Sequence, residues 1–183
     1  MEREISDRQA QIASELRALG RRLSAGDESE LLVWIIPNEL ACSHRPLRYH
    51  RLFGASARNL APEAAPYVRE WAEMIAVYGI QGIICLMSPT EVGFYRDLEL
   101  GANNLIAFYK SRFQVCHLPW EDPAHSKTPQ SMIETKKRKV RRAALEEYDK
   151  LPKPVLLHCS AGIQRSAPVG AYIWWHRGRE SVD

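Results

Sequence analysis

Cysteine is scarce in this chain. Only Cys42, Cys85, Cys116 and Cys159 occur, and no two of them form a Cys-x-x-Cys pair. That spacing argues against a disulfide framework and for reduced thiols, as expected in the cytoplasm. No apolar run is long enough to span a bilayer, so no membrane insertion is expected. The N-terminus has no charged-then-apolar pattern of the signal-peptide kind. Internal repeats and low-complexity tracts are lacking as well. Neither sign of charge dominates: the net charge is +3 and the pI about 8.7. This slight basic excess favours phosphorylated or acidic partners, and no nucleic-acid partner is expected from it. With 183 residues, 45% of them hydrophobic, the chain is long enough to bury one sizeable core.

What is present is one informative stretch, Val155-Leu156-Leu157-His158-Cys159-Ser160-Ala161-Gly162-Ile163-Gln164-Arg165-Ser166. A run of branched apolar residues ending at a polar tip predicts a buried strand. Small residues follow, and they let the backbone curl tightly and turn its N–H groups inward. A helix after them brings its positive end to the same place. Cys159 opens this loop and Arg165 closes it, with five residues between. Cysteines beside helix N-termini and cations form thiolates readily, and the thiolate is the nucleophile. An arginine can hold two oxygens of a phosphoryl group at once, which a lysine cannot. The candidate cradle is therefore Ser160, Ala161, Gly162, Ile163, Gln164 and Arg165. Ser166 can donate a hydrogen bond to the sulfur, and His158 is expected to order the loop. No metal or cofactor is implied, because Arg165 and the loop amides supply the positive charge.

These residues resemble the signature loop of the cysteine-dependent protein tyrosine phosphatase superfamily. His158 to Ile163 and Arg165-Ser166 match its pattern, whereas Gln164 and Ala167 stand where many members have glycine. The resemblance covers about 31–176 and is greatest to the compact dual-specificity branch, including kinase-associated phosphatases. It implies hydrolysis of a phosphorylated protein or peptide through a cysteinyl-phosphate. It also implies a general acid on a loop after a strand. Pro119-Trp120-Glu121-Asp122-Pro123 fits that place, with Asp122 as the acid and Glu121 as its competitor. In several relatives a cysteine near the position of Cys85 forms a reversible disulfide with the nucleophile, so Cys85 is a candidate redox partner; otherwise it fills core space.

Along the chain, 6–23 predicts a helix with Ile5, Ile12, Leu16, Leu19 and Leu23 on one stripe, weakened at Gly20. It is read as a helical extension, 1–28, packed on a phosphatase domain, 29–183. Strands are predicted at 31–36, 39–41, 82–87, 113–118 and 155–158, and helices at 62–78, 105–111, 129–151 and 166–176. Their alternation implies an α/β domain. Its central, mainly parallel sheet has about four to five strands flanked by helices. His44, Arg45, Arg48, His50 and Arg51 form a basic loop that is either solvated or rims a phosphate site. The run from Lys136 to Arg142 reads as a solvated helix face, with recruitment of an acidic partner or nuclear import as the sharper options. Competing functions are a phospho-ligand binding module without turnover, a phosphoinositide phosphatase, or sulfur transfer or arsenate reduction on the same loop type. The neutral side chains at Ser160, Ala161, Ile163 and Gln164 disfavour the phosphoinositide reading. The sequence sets no oligomeric state.

Overall fold

The computed structural model describes residues 1–54 and 58–179; the last four positions of the expected 29–183 domain lie outside these. Five strands form one sheet: β1 (Leu32–Ile36), β2 (Leu40–Ser43), β3 (Gly82–Cys85), β4 (Gln114–His117) and β5 (Val155–His158). Their spatial order is β1-β2-β5-β3-β4. β1 and β2 are an antiparallel pair, and every other pairing is parallel. The α/β architecture with a mainly parallel sheet is thus the one expected. The hairpin turns at Pro37-Asn38, where Asn38 takes a left-handed φ of 58°. All residues of β2, β3 and β5 are buried, as near-continuous apolar strands covered on both faces should be. β4, at the sheet edge, is half-exposed.

Among the described residues six α-helices accompany the sheet: α1 (Glu2–Ser24), α2 (Ala65–Val77), α3 (Pro89–Val92), α4 (Leu105–Lys110), α5 (Gln130–Lys150) and α6 (Ser166–Ile173). A 3₁₀ turn, Pro62–Ala64, leads into α2, and a π-helical turn, Trp174–Gly178, extends α6. Side chains on β5 alternate between faces. Leu157 faces α6, where a Cβ on Gly170 would come within 3.6 Å of it. His158 faces the other way, with its ring 6.2 Å from Trp71 of α2 and 5.6 Å from Tyr109 of α4. Hence α1, α5 and α6 pack together on one face and α2 and α4 on the other.

Helix α1 is more than a peripheral addition. Ile5, Ile12, Leu16, Leu19 and Leu23 are all buried in the same core as the sheet. Full burial of each such side chain is worth about 1.5–3 kcal/mol. Five of them approach the net stability of a whole domain. Gly20 has a packing reason: a Cβ there would lie 3.2 Å from the ring of Tyr49.

Candidate functional site

The loop after β5 is held by its carbonyls. The Arg45 backbone N–H donates to Ser160 O at 2.9 Å, and His44 Nδ1 lies 2.9 Å from Ala161 O. Both peptide bonds are trans, so each C=O and the N–H of the next residue point in opposite directions. Drawing the Ala161 carbonyl outward to His44 turns the Gly162 N–H inward, where it donates to Cys159 Sγ at 3.2 Å. The same logic turns the Ala161 N–H inward, because the Ser160 carbonyl points out to Arg45. Gly162 has φ +80°, the left-handed region that lets the loop curl back over the sulfur. A Cβ at Gly162 would also strike Leu16 of α1 at 2.8 Å, so α1 backs the loop directly.

The five N–H donors of Arg165 can be counted. Nη1 and Nη2 donate end-on to Glu91 Oε2 and Oε1, each at 2.6 Å, and Nη1 also donates to Trp120 O at 2.7 Å. One N–H on Nη2 and the one on Nε remain, and they lie on the same edge of the guanidinium. Nε is buried and has no acceptor among the described residues. That edge is a fork of the kind that grips a tetrahedral oxyanion. Burial works against the Arg165 charge, yet Glu91, Cys159 and Asp122 outweigh it and hold the guanidinium above its usual pKa. Burial likewise works against the Glu91 carboxylate, and the Arg165 pair with the Ser88 contacts draws it below its usual value.

Asp122 Oδ2 lies 3.7 Å from Arg165 Nη2, while its Oδ1 accepts from the Ala124 N–H at 2.9 Å. Glu121 is exposed, and the ion pairs of Arg165 are with Glu91 and Asp122. Of the two competing acids, the structure brings Asp122 to the guanidinium. Ser166 Oγ is buried with no hydrogen-bond partner among the described residues, at the first position of α6. His158 is fully buried, with Nδ1 3.0 Å from Cys159 O. Cys85 ends β3 opposite His158 in register, and burial pushes its thiol up to about 12. Cys85 and Cys159 are both free thiols. Among the described residues, no cluster of three or more His, Cys, Asp or Glu side chains is placed to hold a metal.

No protein-family profile matches the chain, and no curated protein matches it. What the site can do therefore rests on its own geometry: a buried sulfur that accepts from an inward amide, a forked cation in the same loop, and a carboxylate 3.7 Å from that cation.

Two parts of this site escaped the sequence reading. The basic loop reads in sequence as solvated or as a phosphate rim, but His44 and Arg45 are buried against the Cys159–Arg165 loop. Arg45 Nε reaches Ser160 Oγ at 3.3 Å and Nη1 reaches Tyr95 OH at 3.0 Å. The charge tolerates burial because loop oxygens and the Phe94 and Tyr95 rings surround it. Glu91 was not singled out either, although Ser88-Pro89-Thr90-Glu91 is a capping-box pattern. That box forms, with Ser88 N–H donating to Glu91 Oε2 at 2.8 Å.

Buried His44 and His158 give an acid sensitivity. Burial is the chief cause that lowers both from 6.5 to about 4. The unfolded chain then binds more protons than the folded one between those values. Stability is complete above pH 6.5 and is lost as the pH falls toward about 4. At about 1.4 kcal/mol per pH unit for each histidine, urea unfolding should show a loss of about 3–4 kcal/mol from pH 7 to pH 5. Equal stability at the two values would refute neutral burial of both rings.

Proposed function

We propose that the chain is a phosphomonoester hydrolase, a protein tyrosine or dual-specificity phosphatase that works through a cysteinyl-phosphate. The observation that carries this reading is the remaining Nε–Nη2 fork of Arg165 beside the inward Gly162 N–H and Cys159 Sγ. Together these present a nucleophile and donors for three equatorial oxygens.

Cys159 Sγ attacks phosphorus, forming the S–P bond as the bond to the leaving oxygen breaks. Asp122 gives that oxygen its proton. The loop amides and Arg165 hold the transferred phosphoryl group, and α6 adds the positive end of its dipole. Water then attacks phosphorus, Asp122 takes the water proton, and the S–P bond breaks. Ser166 Oγ, free of other partners, donates to the departing thiolate. Glu91 holds the guanidinium end-on, which leaves its Nε–Nη2 edge for the phosphoryl oxygens.

Rapid acid quench during turnover of an aryl phosphate should leave one phosphate on the peptide that contains Cys159, seen by mass spectrometry. The Cys159→Ser chain should show neither that adduct nor hydrolysis. Turnover retained in Cys159→Ser would sink the mechanism.

A further inference from the structure

The acid loop has a second side. Asp122 approaches Arg165, but its neighbours Glu121 and Pro123 line a separate groove of about 310 Å³. Trp120, buried to 5% exposure, lines it too, as do Met132, Ile133 and Lys136 from the first turns of α5. Met132 is 60% exposed, unusual for a side chain of its size and polarity here.

We propose that this groove is a docking subsite for a phosphoprotein substrate, filled by an apolar side chain one or two residues from the phosphorylated one. Acidic residues beyond it meet the cations of α5. This rests on the hydrolase reading above, because it takes the cradle as the seat of the phosphate.

Distance favours such a neighbour. Consecutive Cα atoms are about 3.8 Å apart, so the groove walls at Glu121 and Pro123 begin one residue from Asp122. An extended peptide advances about 3.3 Å per residue, and one or two steps from a phosphate held under Asp122 reach the groove.

Charge identifies the rest of the partner. Lys136, Lys139 and Arg142 follow one another at three-residue steps along α5, with Arg138 beside them. All four are exposed and form no ion pair among the described residues, whereas Lys137 is paired with Glu134 at 3.6 Å. Thr135, Arg138, Lys139 and Arg142 line a second recess on the same helix. An apolar notch leading onto free cations suits a peptide with an apolar residue followed by acidic ones. Free phosphate or a small sugar phosphate would gain nothing from either feature.

The test compares three phosphotyrosine peptides with p-nitrophenyl phosphate. One peptide has leucine on both sides of the phosphotyrosine and Asp-Glu beyond. The others replace the leucines by glycine, or the acids by lysine. The first should exceed each of the others in kcat/KM by about tenfold, the order for seating one apolar side chain or one ion pair. Met132→Glu and Lys136→Glu should each erase most of that advantage through KM, with aryl phosphate turnover within twofold of wild type. Fluorescence anisotropy of the same peptides on the Cys159→Ser chain reads binding without turnover.

Aryl phosphate turnover without peptide discrimination would overturn the docking subsite and leave the hydrolase reading standing. Discrimination in anisotropy that Met132→Glu abolishes, with no turnover by the wild-type chain, would do the reverse. A parallel loss on peptides and aryl phosphate, or preference for inositol phosphates over all three peptides, would also overturn the subsite.

Discussion

Asp122→Ala is expected to lower kcat on an aryl phosphate by about 10²–10⁴, the usual contribution of a positioned acid. KM should change little, since in the proposed mechanism the loop amides and Arg165, not Asp122, grip the phosphate. The geometry makes this side chain hard to replace. One carboxylate oxygen is anchored by the Ala124 N–H, and the other is left beside the open edge of the guanidinium. The loss should depend on the leaving group. Phenyl phosphate, whose oxygen needs the proton, should suffer more than p-nitrophenyl phosphate, whose oxygen leaves as an anion. Glu121→Ala supplies the contrast: the residue is exposed and lines the outer groove, so turnover of the aryl phosphate should stay within about twofold, as for surface changes away from the reacting atoms. If the two variants exchanged their effects, Glu121 would be the acid.

Glu91→Ala should damage stability and rate together. The Arg165 side chain is fully buried, and that of Glu91 is only 13% exposed. Removing one partner of such a pair leaves the other charge buried and uncompensated, at a cost of about 3–5 kcal/mol. For a chain of this length that corresponds to a fall in Tm of about 6–20 °C. The guanidinium would also lose the end-on partner that sets its orientation, so kcat should fall even at temperatures where the variant is folded. Glu91→Gln, which keeps an acceptor, should be milder on both counts. The pair adds to the acid sensitivity too. The Glu91 pKa is lowered in the folded chain from its ordinary 4.5. Its contribution is therefore present above that value and lost as the pH falls through the lowered one. In thermal unfolding of wild type and Glu91→Ala, the gap between the two should narrow as the pH falls below 4.5 and through the lowered value. An unchanged Tm at neutral pH would mean that the ion pair contributes nothing.

The two variants probe residues that the sequence displayed unequally. Asp122 stands in a proline-bounded stretch after a strand, a context it shares with Glu121, and the resemblance of that loop is what nominates it ahead of its neighbour. Glu91 carried a local signal as well, the capping box at Ser88, but a cap alone says nothing about a guanidinium 74 positions away. His44 and Arg45 were harder still. In sequence they belong to a basic loop with every mark of solvation. Their burial depends on the carbonyls of Ser160 and Ala161 and the Ser160 hydroxyl, more than 110 residues later.

The sequence by itself determined what is local. Alternation, helical stripes, breakers and caps depend on residues within about four positions of each other, so the strands, every helix but the one-turn α3, and the Cys159–Arg165 loop are legible there. Segment ends moved by a few residues, as with α1, which begins at Glu2 rather than near 6. Only the tertiary structure decided which way the loop amides point, which acid meets Arg165, and that α1 backs Gly162. Those outcomes depend on parallel registers that bring β2, β3 and β5 side by side. Parallel neighbours are joined by long crossovers, so the groups that meet at the strand ends are far apart in the chain. Pairing across such separations is set by packing of the whole sheet, not by any short stretch of residues.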